Sequence, residues 1–285
     1  MISILGYLLA IAIGISLGLL GGGGSVLALP VLVYVMGIAP KPAIAMTLII
    51  VGTVSLVGVI PHARRGNLAL KQGAIFGSAT MVGAYLGARI ATLPLVTSAL
   101  QMTLFAVSML LAAGLMIYRT SKAEPALSTN ELNSIQYIKP VCKYCWLWLM
   151  TEGLGVGILT GLVGVGGGFA IVPALVLLGN VPMKKAIGTS LLIISCNSIA
   201  GLLGYLGHIS LDWNLTVSFT FLAGFGTIIG AYLAQFVSAQ QLQKGFGYFL
   251  LVVAAFVLVQ NRRSFESPQK SSAYQQSHNT VQRTQ

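Results

Sequence analysis

Apolar residues run along this chain in long blocks rather than in the short alternations of a soluble fold. Blocks at about 2–20, 43–61, 70–92, 98–118, 146–163, 186–207, 212–236 and 241–260 each predict a helix close to the roughly 20 residues needed to cross about 30 Å of hydrocarbon. Two shorter blocks, 25–38 and 168–180, directly follow clusters of glycine and would reach only about 20 Å as helices. They predict half-helices that tilt, or dip in and return, which lipid tolerates only where irregular backbone faces protein or a watery cavity. The expected fold is an all-α, polytopic transmembrane bundle of about 8–10 segments.

The two glycine clusters are copies of one another. GLLGGGGSVLALPVL from Gly18 and GLVGVGGGFAIVPAL from Gly161 align without a gap at an offset of 143 positions. The match extends beyond the glycines to Lys41/Lys184, Ser55/Ser198, Gly58/Gly201, Gly83/Gly226 and Gly87/Gly230. This divides the chain into a first repeat over 1–120, a polar connector at 121–144, a second repeat over 145–262 and a Ser/Gln-rich tail at 263–285. The tail is too poor in apolar residues to offset the entropy of ordering, so disorder is expected there. Duplicated halves, each with a Gly/Pro-interrupted apolar segment, are the pattern that points to a transporter's binding site.

Composition excludes a soluble protein. Hydrophobic residues make up 56% and charged residues 7%, against about 25% charged in globular domains, and the mean hydropathy is +0.87. The net charge of +11 does not signal nucleic acid, because the cations sit in loops, at Arg64, Arg65 and Lys71, at Arg119, Lys122, Lys139 and Lys143, and at Arg262 and Arg263. An odd number of crossings per half would invert the halves and place Lys184, Lys185 and Lys244 inside with the first two clusters and Arg262 and Arg263 outside; an even number would put the tail inside but strand Lys184 and Lys185 outside. Inverted halves of five segments are favoured, since a lipid-embedded break is most easily satisfied at a pseudo-two-fold interface. The lone Cys142-x-x-Cys145 and Cys196 give no disulfide framework. No cofactor or metal is expected, and no hydrolytic or nucleotide-binding motif is present, so the chain is not read as an enzyme.

Candidate chemistry centres on the breaks. Gly21, Gly22, Gly23, Gly24 and Ser25 in one copy, with Gly164, Gly166, Gly167 and Gly168 in the other, would interrupt a helix at depth, since each interior glycine costs about 1 kcal/mol relative to alanine. A half-helix starting at such a point aims free N–H groups and a positive dipole end at the gap, which suits an anion. Close packing of backbones is the competing account, and it is the better one for the four-spaced pairs Gly14/Gly18, Gly83/Gly87, Gly157/Gly161 and Gly226/Gly230, faces also compatible with a homodimer. Thr47, Ser55, Thr189, Ser190, Asn197 and Ser198 complete the candidate contact set, although hydroxyls in helices also bond the preceding turn. Arg89 and Glu152 are ionisable residues within apolar blocks: Arg89 as an anion attractor, Glu152 as a carrier of a coupling proton, with snorkelling or a salt bridge as the alternative for both.

The duplicated glycine clusters, each followed by an apolar stretch and proline, together with KAIGTSLL from Lys185 and Asn197-Ser198 with Gly201, resemble the TauE/SafE sulfite exporter family over about residues 1–260. The first copy departs at Ala45-Met46-Thr47, opposite Gly188-Thr189-Ser190, and at Ser25, opposite Gly168. The resemblance implies a multi-pass permease of a bacterial inner membrane that moves small sulfur oxyanions or organosulfonates, such as sulfite or sulfoacetate. Its partners would be a small anionic substrate and the lipid bilayer. The residues alone do not choose sulfur over carboxylate or phosphate, and a non-transporting membrane scaffold or sensor is the alternative from another class.

Overall fold

The computed structural model describes residues 2–92, 96–122, 145–163, 166–179, 181–205 and 212–282. The chain forms α1 (Ile2–Leu20), α2 (Gly23–Pro30) with a π-helical turn (Val31–Val35), α3 (Pro40–Arg64), α4 (Leu70–Ala91), α5 (Ser98–Lys122), α6 (Cys145–Val163), α7 (Gly168–Leu177), α8 (Met183–Tyr205), α9 (Trp213–Leu233) and α10 (Ala239–Gln282). Among the described residues all regular structure is helical, and α3, α4, α5, α8, α9 and α10 are long and apolar enough to cross a membrane. The backbone of α10 stays helical to Gln282, across a stretch for which low hydrophobicity had predicted disorder. Adding residues to an existing helix costs far less than nucleating one, so a polar extension can continue an apolar span.

The two short blocks fold alike. In α2 the cap at Gly22 follows Gly21 at φ +72°, and Pro30, which lacks an N–H, is followed by a widened turn. There Met36 N–H reaches Val31 O at 3.0 Å and Ile38 N–H reaches Leu32 O at 3.0 Å. At the same offset of 143, Gly179 N–H reaches Ala174 O at 3.1 Å and Val181 N–H reaches Leu175 O at 3.0 Å, downstream of Pro173. Gly24 packs on Ile13 and Leu17, while Gly6 meets Met36. The segment after the first break therefore runs back along α1, and a dip-and-return path replaces a crossing.

Packing exchanges elements between repeats. Gly14 and Gly18 of α1 lie against the backbone of Ala223, Thr227 and Ala231 in α9, and Gly157 and Gly161 of α6 lie against Thr80 and Ala84 in α4. Each contact is its counterpart's image under the 143 offset. Cβ atoms at these glycines would collide with main chain, so close approach is their role, and the faces that had made a homodimer compatible are occupied within the chain. At the centre, α3 and α8 are buried over 67% and 72% of their apolar windows, against 39% for the other four long helices. Gly52 meets Ser198, Gly58 meets Leu191 and Gly201 meets Leu48, so α3 and α8 run antiparallel. Large apolar side chains such as Leu111, Phe221 and Val252 are exposed on the outer helices, as a lipid-facing surface requires.

Candidate functional site

The two breaks meet. A Cβ on Gly168 would stand 2.6 Å from the Gly22 α-carbon and 2.7 Å from Ser25 Oγ, which places the two glycine α-carbons about 4 Å apart. Gly22 caps α2 and Gly167, at φ +88°, caps α7, neither with a side-chain hydrogen bond. Two helix N-termini thus face each other, each with leading N–H groups that have no partner in their own helix. Gly21 to Ser25 and Gly166 to Gly168 are all buried. The watery gap expected between the clusters is closed by their mutual contact. Gly164 lies outside the described residues.

Around this contact the hydroxyls divide into two groups. Ser25 Oγ donates to Gly22 O at 2.7 Å, and Thr47 Oγ1 donates to Ala43 O at 2.7 Å. Thr189 Oγ1 donates to Lys185 O at 2.7 Å and accepts from Ala69 N–H at 2.8 Å. Ser190 Oγ lies 2.8 Å from Ile187 O and 3.0 Å from Gly21 O, so it ties the first break to α8. Gly188, beside them, admits the Asn67 carbonyl against its α-carbon. The Gly188-Thr189-Ser190 block therefore joins the second repeat to the α3–α4 loop and first break of the first repeat.

The second group lacks partners. Ser55 Oγ, Ser198 Oγ and Asn197 Nδ2 are buried without a hydrogen bond, a condition that costs about 1–3 kcal/mol per group. Ser55 and Ser198 are repeat counterparts on the antiparallel α3 and α8. Ser198 Oγ borders the second break, 2.9 Å from where a Gly166 Cβ would stand. Asn197 Oδ1 accepts from Thr80 Oγ1 at 3.2 Å, which leaves its amide nitrogen with unused donors.

The ionisable candidates are not brought to the breaks. Arg89 is exposed; its Nε donates to Tyr85 Oη at 3.2 Å and its guanidinium lies 5.5 Å from that ring. Glu152 is half-buried on α6, two turns or about 12 Å along the helix from Thr160, whose Cβ lies 3.0 Å from the Cβ position of Gly167. Repeat symmetry passed over Thr80 and Thr160, because their counterparts are Ala223 and Leu17. His62 Nε2 lies 3.2 Å from Gly18 O, beside the first break; a carbonyl only accepts, so Nε2 carries the proton. Among the described residues no cluster of His, Cys, Asp or Glu could hold a metal ion.

The family described as Sulfite exporter TauE/SafE matches residues 6–276. A probable membrane transporter protein of Xylella fastidiosa (strain 9a5c) is 32% identical over 251 residues, covering 86% of this chain and 91% of the relative. The probable membrane transporter protein YdhB of Bacillus subtilis is 27% identical over 221 residues, covering 78% and 84%, and a probable membrane transporter protein of Haemophilus influenzae is 25% identical over 264 residues, covering 85% and 92%. No solved structure matches.

Proposed function

We propose that this chain, which belongs to the sulfite exporter TauE/SafE family, transports small anions, with sulfur oxyanions and organosulfonates of the sulfite and sulfoacetate kind as the favoured class, across a bacterial inner membrane. Membrane transport follows from family membership. The anionic substrate rests chiefly on one observation, the apposed N-termini of α2 and α7. Each carries about half a positive charge, and two such ends about 5 Å apart repel by roughly 1 kcal/mol at an effective dielectric near 20. An anion between them would turn that repulsion into two attractions and give the leading N–H groups their acceptor.

In this reading the contact between Gly22 and Gly168 is the closed form, and transport requires the breaks to part. The parting would admit substrate beside Ser55, Asn197 and Ser198, whose unpartnered donors could bind oxyanion oxygens. The antiparallel α3 and α8 support inverted halves, as an alternating-access cycle about a central site would use. The test is flux into proteoliposomes containing the purified full chain, with sulfite, thiosulfate, methanesulfonate and acetate compared with and without a proton gradient. Saturable flux of the sulfur anions is expected. If none of the four moves, the chain behaves as the scaffold or sensor alternative; if a gradient changes nothing, Glu152 has no coupling role.

A further inference from the structure

Near the first break lies a cavity of about 220 Å³ lined by His62, Arg65, Asn67, Lys184, Ile187, Ala234, Gln235 and Leu242. Among the described residues no carboxylate is in this lining. Its two permanent cations are held by main-chain carbonyls instead: Arg65 Nη1 donates to Ala231 O at 2.8 Å, and Lys184 Nζ lies 3.5 Å from Gln235 O. These bonds position the charges without neutralising them. Lys184 and Lys185 also occupy the first turn of α8, where the positive end of the helix disfavours cations. The wall is firmly built, since Asn67 N–H bonds His62 O at 3.0 Å and Ala69 N–H bonds Thr189.

This cavity is one residue away from the first break. Ile187 lines it, and the Ile187 α-carbon lies 2.7 Å from where a Gly21 Cβ would stand. The 143 offset supplies a comparison: the counterparts of His62, Arg65, Asn67 and Lys184 are Tyr205, His208, Ser210 and Lys41. In sequence, two permanent cations of this lining thus correspond to one in the other repeat.

We propose that the His62–Arg65–Asn67–Lys184 cavity is a loading site for a small oxyanion, separate from the breaks. The anion would be held there by Arg65 and Lys184, whose charge raises its local concentration, and handed past Ile187 when the Gly21 break opens. This rests on the anion-transport reading above for its purpose, but its binding chemistry can be tested without transport.

The test uses the full chain with Cys142, Cys145 and Cys196 changed to serine and Asn67→Cys as reporter. Labelling rates are measured with an anionic thiosulfonate reagent and a neutral one of similar size. The anionic-to-neutral rate ratio is expected to fall about 10-fold in R65Q/K184Q, and sodium sulfate should slow anionic labelling in the parent but not in that variant. K184Q alone, which removes only one long contact, should lower the ratio about 3-fold and serves if the double variant does not fold. A reporter thiol that stays unlabelled, an unchanged ratio or no protection by sulfate overturns the site. A normal labelling pattern with no flux of any anion would instead sink the transport reading and leave the site standing.

Discussion

The two breaks share an origin and differ in how they are held. The first opens with Gly21 in the left-handed region, is tied to α8 by Ser190 and has a basic cavity one residue away. In the second, Gly166 and Gly167 are both left-handed at φ +68° and +88°, and the break borders a serine hydroxyl without a hydrogen-bond partner. The glycines are shared by both copies, while the left-handed positions and the surroundings differ. One break is anchored, while the other carries unused hydrogen-bonding capacity.

The contact between breaks is common property, so Gly22→Leu and Gly168→Leu should do equal and severe damage. We expect flux to fall at least about 100-fold in each, with destabilisation of about 1–3 kcal/mol or more from overpacking, checked by proteoliposome flux and denaturant unfolding in detergent. Near-normal flux in one alone would break the equivalence. The counterparts Gly166 and Gly23 sharpen the contrast. Gly166→Ala places a side chain at φ +68° and should cost about 1–2 kcal/mol. Gly23→Ala meets only the side-chain ends of Leu20 and Phe249 and the Ser16 carbonyl at 3.1–3.3 Å, and helix propensity repays up to about 1 kcal/mol, so it should be close to neutral in the same assay.

Smaller still is the difference between Ser190 and its counterpart Thr47. Ser190→Ala removes the tie to Gly21 and should cost about 1 kcal/mol, whereas Thr47→Val removes a hydroxyl bonded only within its own helix and should change unfolding by less than about 0.5 kcal/mol. Equal effects would mean that Ser190 does not anchor the break. Least is expected of Arg89→Gln. Its guanidinium is exposed and paired with Tyr85, so flux and its concentration dependence should match the parent.

The helices and both breaks were legible because apolar block length and glycine runs report backbone cost directly. Pro30 and Pro173 marked where the returning segments widen, and the 143 offset foretold the contact of α1 with α9 and of α6 with α4 only as a symmetry, not as a pairing. The site was legible in outline. Glycine clusters announce free amides, but whether those amides face water, a side chain or each other depends on tertiary approach, which no local pattern encodes. Thr189 and Ser190 illustrate the limit: as hydroxyls beside a glycine break they read as ligand contacts, and the fold uses them as joints to Ala69 and Gly21. Thr80 was passed over for the opposite reason, since its counterpart Ala223 cannot repeat its role.

The exchange of α1 onto α9 and α6 onto α4 has a mechanical consequence. Each tightly knit pair takes one helix from each repeat, like the fingers of clasped hands, so the covalent halves are not the bodies that could swing. A cut between the two repeats would therefore leave two pieces still held together by glycine-to-backbone seams, and motion is expected between the α1–α9 and α4–α6 pairs rather than between the covalent halves.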